Sequence, residues 1–190
     1  MAESRPAPGR VLRSLRLARA WSLSQAALET GVSKAMLGQI EREESSPTIA
    51  LLWKIATGFN VPFSLFLADP SQERAALRNS EMPRFRQPNA AMQVSSLFPF
   101  DPQLGLDMLQ VELAAGALSE SSPHESGVIE HVIVIDGELR LAIGAEWHTL
   151  KAGEGLRFQA DCTHQYQNLG KASVKFHSLI HYPLSRITMR

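Results

Sequence analysis

The sequence predicts a multidomain α + β chain, an all-α front followed by an all-β rear, and three observations carry that division. Through residue 67, apolar residues recur at helical spacing, with capping residues ahead of the runs. From Met92 onward, short runs rich in Val, Ile, Leu and Phe are separated by Gly, Pro or Asp turns, the texture of a β-sandwich or barrel. Charge divides at the same place: residues 1–67 hold eight Lys/Arg against five Asp/Glu, and residues 68–190 hold eleven against fourteen. A front of net +3 and a rear of net −3 are hidden inside a total of zero. The basic front suits a polyanionic partner such as nucleic acid, which the acidic rear would repel.

Taken in order, residues 1–9 read as a loose Pro/Ala-rich start. Val11, Leu12, Leu15 and Ala18 then make the apolar stripe of a first helix. Arg10, Arg13, Arg16 and Arg19 recur every third residue beside it, most of them solvated and one or two able to meet phosphate. Ser22 and Gln25 form an S-x-x-Q capping box for a second helix, with Trp21 placed as a hydrophobic staple. Gly31 suits a positive-φ bend, and Ser33 caps a third helix whose inner face is Leu37 and Ile40. Two short helices at an angle, the second with a small and polar outer face, predict a helix-turn-helix. Pro47 is expected at the first position of a fourth helix, with Ile49, Leu52, Trp53, Ile55 and Ala56 inward and Gly58 as its stop. Val61-Pro62-Phe63 starts a short fifth helix to Leu67.

Residues 10–67, within a domain expected over 1–67, resemble the XRE (Cro/repressor-like) helix-turn-helix family through Ala27, Gly31-Val32-Ser33, Leu37, Gln39-Ile40-Glu41-Arg42 and Ser46-Pro47-Thr48. The resemblance implies a five-helix, lambda-repressor-like DNA-binding domain whose third helix enters the major groove of double-stranded DNA. Ser33, Lys34, Ala35, Gly38 and Gln39 are then expected to face base edges, with Lys34 suited to guanine and Gln39 to adenine, and Arg42 to touch phosphate.

Residues 68–91, with Pro70, Pro83, Pro88 and several arginines, read as a linker. In residues 92–190 strands are expected at Leu106–Leu113, His131–Ile135, Leu139–Ile143, Gly155–Phe158 and Val174–Ile180, with Asp136-Gly137 as a tight hairpin turn. Gly116, His124, Ser126, Glu130 and Gly137, then Gly153, Gln159, Asp161, His164 and Asn168, resemble the two motifs of the cupins, double-stranded β-helix jelly rolls. Three positions depart from that pattern: Ser126 for a second histidine, Gln159 for proline and Asp161 for glycine. The set that the resemblance leaves, His124, Glu130 and His164, can hold Zn, Ni, Mn or Fe with open positions for a small molecule. Left without metal, the same residues would only hydrogen-bond one another and water. Ser126 and His177 are the alternatives for a missing ligand. Arg157, Tyr166 and Asn168 are candidates to line an effector cavity, Arg157 through a carboxylate-binding fork. His131, next to Glu130, should point the opposite way.

Cys162 is the sole cysteine, so an internal disulfide is excluded and a reducing compartment, the cytoplasm, is expected. No apolar run approaches membrane-spanning length. The front-to-rear order, with VSKAMLGQIEREESSP, SLFPFDPQL, GVIEHVIVIDGEL and FHSLIHYP, is similar to bacterial XRE-cupin regulators of the sulfur-utilisation type, the SutR group. That resemblance implies a homodimeric, non-enzymatic regulator answering to a small effector, an amino acid or sulfur compound. The alternative is a metal-dependent cupin enzyme, of dioxygenase or isomerase type, fused to a DNA-binding domain.

Overall fold

The computed structural model describes residues 7–67, 84–85 and 91–183. The front half holds four α-helices: α1 (Pro8–Ala18), α2 (Leu23–Thr30), α3 (Lys34–Glu41) and α4 (Ile49–Gly58). Each begins where its local chemistry allows. Pro8, which has no N–H, starts α1 where no intrahelical donor is needed, and the hydroxyls of Ser22, Ser33 and Thr48 accept from the amides of Gln25, Met36 and Leu51. Half of the expected capping box forms, because the Gln25 side chain donates to Glu29 instead of reaching back. Thr48, not Pro47, stands at the start of α4. Gly31 ends α2 at φ 65°, as the turn requires.

The fifth helix of the sequence reading is a single 3-10 turn, Phe63–Phe66, in which the Leu67 amide bonds the Ser64 carbonyl three residues back. The front is therefore four α-helices and a turn. Leu12, Ala26, Leu37, Ile40, Leu52, Ile55, Phe59, Phe63 and Phe66 are buried between them. Trp21 lies against Phe59, with ring centres 4.8 Å apart, so it packs on the end of α4. Two arginines of the α1 stripe are structural. Arg16 grips Glu41 of α3 through two bonds of 2.6 and 2.8 Å, and Arg19 donates to the Phe59 carbonyl.

The expected linker lies outside the described residues except for Ala91 and strand β1 (Arg84–Phe85), which pairs with β2 (Met92–Asp101). The rear continues with β3 (Leu106–Leu113), β4 (Leu118–Ser121), β5 (Ile129–Asp136), β6 (Glu138–Ile143), β7 (Glu146–Lys151), β8 (Gly155–Gln159), β9 (His164–Gln167) and β10 (Val174–His181). They form two antiparallel sheets in the orders β1-β2-β3-β10-β5-β8 and β4-β9-β6-β7. Strict alternation of burial along β3, β9 and β10 turns one side of each strand inward, where Leu109, Val132, Leu141, Phe158, Tyr166 and Phe176 are buried. Asp136-Gly137 is not the hairpin turn that the sequence suggests. It carries the chain from β5 in one sheet to β6 in the other, with Gly137 at φ 85°, where an added Cβ would fall 3.3 Å from Val174 Cα.

The two halves touch. The amide of Ser64 donates to Oδ2 of Asp107 on β3 at 3.0 Å, and the amide of Phe100 on β2 donates to the Ser64 hydroxyl at 3.1 Å. Both Ser64 and Asp107 are fully buried, and burial pushes the Asp107 carboxyl up to about 6 against the amide bonds that favour its charged form.

Candidate functional site

Two places in the chain gather polar side chains suited to binding a partner. The first is α3. Leu37 and Ile40 bury its inner side, and Arg16 fixes its C-terminal end through Glu41. Ser33, Lys34, Ala35 and Gln39 are exposed, and Ala35, Gln39 and Arg42 follow at i, i+4 and i+7 along one stripe. Gly38 does not belong to that open face. It is buried, and a side chain there would meet Arg42 Nη1 at 3.2 Å and Leu23 of α2 at 3.7 Å. The Arg42 side chain and Leu23 of α2 lie over it. Arg42 is exposed and makes a two-bond pair with Glu44, at 2.7 and 2.8 Å. An exposed pair of this kind contributes little, so the guanidinium is readily exchanged to another anion.

The second place lies between the two sheets. Donor atoms of His124, Glu130 and His164 all fall within 4.8 Å of one another. β5 supplies Glu130, β9 supplies His164, and the loop before β5 supplies His124, whose amide bonds the Ala160 carbonyl. His164 Nδ1 sits 3.0 Å from the Cys162 carbonyl, an acceptor, so Nδ1 carries a proton and, in the neutral ring, Nε2 is the ligating nitrogen. That Nε2 is buried without a hydrogen-bond partner, 3.6 Å from Glu130 Oε2. The other carboxylate oxygen, Oε1, accepts from the hydroxyls of Tyr166 at 2.6 Å and Ser178 at 2.7 Å. The buried His164 Nε2 and Glu130 Oε2 face each other across a gap that could hold a cation, and both groups have supporting hydrogen bonds behind them. The residues present therefore fit a metal through three donors. Burial brings the His124 imidazole down to about 4, against the opposing pull of Glu130, so its ring is neutral and free to ligate. Burial, reinforced by the Glu130 carboxylate, holds the Tyr166 hydroxyl protonated and donating.

Several expected residues stand elsewhere. Arg157 is exposed on the outer side of β8, opposite His131 on β5, because its neighbour Phe158 takes the inward position against His164. Asn168 is buried, but the backbone uses it fully. Its amide nitrogen donates to the carbonyls of Leu113, Ala114 and Ala172, and its oxygen accepts from Gly170. Neither reaches the cavity between the sheets. Ser126 is exposed, and His177 is turned away because the adjacent Ser178 points in. Ser178 escaped sequence reasoning, since nothing in the sequence fixes which of Phe176, His177 and Ser178 faces inward. Trp53, expected in the core, is half-buried between the halves. It stacks on Phe63 with ring centres 4.2 Å apart and presents to His124 at 5.6 Å.

A helix-turn-helix family model matches residues 12–66, and a cupin-domain model matches residues 109–180. The chain is 57% identical over 174 residues to the HTH-type transcriptional regulator SutR of Escherichia coli, covering 92% of this chain and 94% of that protein. A crystal structure of an HTH_3 family transcriptional regulator from Vibrio cholerae superposes with a TM-score of 0.81 at 40% identity, covering 94% of this chain and 96% of that one. A crystal structure titled a predicted oxalate decarboxylase, from Thermotoga maritima, has a TM-score of 0.50 at 17% identity, over 57% of this chain and all of that one. That last likeness concerns fold alone. With such identity over nearly the whole of both chains, and both family models on the expected halves, the chain belongs to the family of HTH-type transcriptional regulators that includes SutR.

Proposed function

We propose that the chain is a sequence-specific DNA-binding transcriptional regulator whose cupin barrel senses a small molecule and thereby alters DNA binding in the cytoplasm. The single observation that carries the reading is the open stripe of α3, with Ser33, Lys34, Ala35 and Gln39 exposed while every large apolar side chain of the helix turns inward or to its edge. Lysine donates to guanine O6 and N7, and glutamine pairs with adenine by two bonds. Arg42 exchanges Glu44 for a phosphate. One such helix reads too few base pairs for high specificity, so a homodimer on two half-sites about 34 Å apart is the working unit. The outer side of the larger sheet offers a surface for pairing, since Phe98, Met108 and Leu179 align across β2, β3 and β10.

Sensing is assigned to the centre of His124, Glu130 and His164, holding Zn, Ni, Mn or Fe. A metal there supplies a Lewis-acid position for an anionic group of the effector. Tyr166 and Ser178 orient the carboxylate, and the Cys162 carbonyl orients His164. The effector class that the family resemblance implies is an amino acid or sulfur compound. Catalysis is the second reading, favoured by the donor set itself, because two imidazoles and a carboxylate also serve non-haem iron oxygenases. Oxygen uptake by the iron-loaded chain with thiols or amino acids would establish it.

Retardation of genomic fragments by the full-length chain tests the first reading. Wild type should retard specific fragments, and Lys34→Glu, an exposed charge reversal, should weaken binding at least tenfold while leaving thermal unfolding unchanged. Equal retardation by both proteins would remove α3 from the interface.

A further inference from the structure

Phe63, Trp53, His124, His164, Tyr166 and Phe176 form an unbroken series of ring contacts from the 3-10 turn of the front half to the interior of the barrel. Their centres are 4.2, 5.6, 5.7, 5.6 and 5.2 Å apart in that order. We infer that Trp53 is the positioning residue through which occupancy of the His124/Glu130/His164 centre is transmitted to the DNA-binding helices. The inference rests on the reading of that centre as the sensor.

Three features of the geometry support it. First, the crevice lined by Trp53, Ala56, Val61, His124, Val128 and Tyr182, open on one side, has room of about 10 Å³, at the limit for one water molecule. The His124 ring lies edge-on against Trp53 there, with ring centres 5.6 Å apart. Secondly, the three donors lie within 4.8 Å of one another, whereas donors sharing one ion at bonds of about 2.1 Å stand roughly 3.3 Å apart. Loading the centre therefore draws its rings together. His124, not held by any side-chain hydrogen bond among those described, is the one that can turn. A ring that moves in a close-packed contact must carry its neighbour or leave a void beside it.

Thirdly, α4 is not free to absorb that movement. At its C-terminal end Gly58 lies against α2, where an added Cβ would fall 2.5 Å from Thr30 Cα and 2.6 Å from the Glu29 carbonyl oxygen. Thr30 is in turn tied to the turn before α3, its hydroxyl donating to the Ala26 carbonyl and accepting from the Val32 amide. Beyond α4, Asp107 holds the 3-10 turn to the barrel through Ser64. A displacement of Trp53 thus pivots α4 about a fixed point on the barrel and reaches the helix-turn-helix at Thr30. The two states differ in the placement of α3 relative to the barrel, and so relative to the partner copy's α3.

The test uses the full-length chain, a duplex that it selects from a random-sequence pool, and Zn²⁺ or Co²⁺ as the probe of the centre. In wild type, loading with one equivalent of Co²⁺ should change the affinity for the duplex at least fivefold, in either direction. In a Trp21→Phe/Trp147→Phe background, the remaining Trp53 emission should change with the same midpoint. Trp53→Leu removes the contact with His124, and Trp53→Phe keeps a ring for Phe63 but shortens the reach to His124. Whichever folds by thermal unfolding should still take up one Co²⁺, yet bind DNA with nearly equal affinity when loaded and metal-free. A loaded variant that keeps the full wild-type change overturns the inference alone, leaving the sensor reading intact. Absence of stoichiometric metal uptake by wild type overturns the sensor reading and the inference with it.

Discussion

Glu130 uses its two oxygens for different purposes. Oε1 is occupied by Tyr166 and Ser178, which orient the group, while Oε2 faces the lone pair of His164. Removing one orienting hydroxyl should loosen the donor without removing it. Tyr166→Phe is therefore expected to weaken Zn²⁺ binding by about 10- to 100-fold in competitive chelator titrations. A change below twofold would show that Ser178 alone fixes the carboxylate. At this scale the sequence was legible where spacing carries the signal. His124, Glu130 and His164 stand in a pattern that survives three departures around it, and the alternation of His164 with Tyr166 put both inward. It was illegible where phase decides. Arg157 and Phe158 are equally compatible with the inside of a strand until the partner strand is known, and the larger apolar ring takes the place. Asn168 has the chemistry of a ligand-binding amide, but its hydrogen bonds go to two stretches of backbone, of which Leu113-Ala114, more than fifty residues away, is one that no local reading foresees. Gly38 looked like part of a small outer face, but the Arg42 side chain and Leu23 of α2 lie over it, which spacing along one helix does not reveal.

Among the elements, the helices were legible through their caps and the strands through their apolar runs, whereas connections between sheets were not. Asp136-Gly137 has the residues of a hairpin turn, yet those residues serve equally where a chain changes sheets, because both need a positive φ. The docking of the 3-10 turn on β3 was equally hidden, since it depends on Asp107 and Ser64 meeting across 43 residues. That contact has a measurable consequence. An acid raised to about 6 in the folded chain from 3.8 is disfavoured in its charged form by folding. Its contribution to stability is fully present below about pH 4 and is lost as pH rises through 6. Between those limits wild type should lose roughly 3 kcal/mol relative to Asp107→Asn, by the two-unit shift at about 1.4 kcal/mol each. Urea unfolding of both proteins from pH 4 to 7 reads the difference. Parallel stability curves would mean that the carboxyl is solvated or compensated.

At the scale of the whole molecule, the zero net charge conceals a basic reader and an acidic sensor that meet at Trp53, Ser64 and Asp107. The division into two halves was visible from sequence because periodicity and charge change together. Their junction was not, because a tryptophan with core-like spacing can equally be shared between two cores. Everything proposed for the sensor acts through DNA affinity, so the central claim is that α3 reads bases. The most direct measurement is selection from a random duplex pool by the full-length wild type and by Gln39→Ala, sequenced in parallel. The variant should bind its duplexes ~1–3 kcal/mol more weakly and lose preference at one base pair of each half-site, with the other positions unchanged. Identical base preferences at every position for the two proteins would contradict the account.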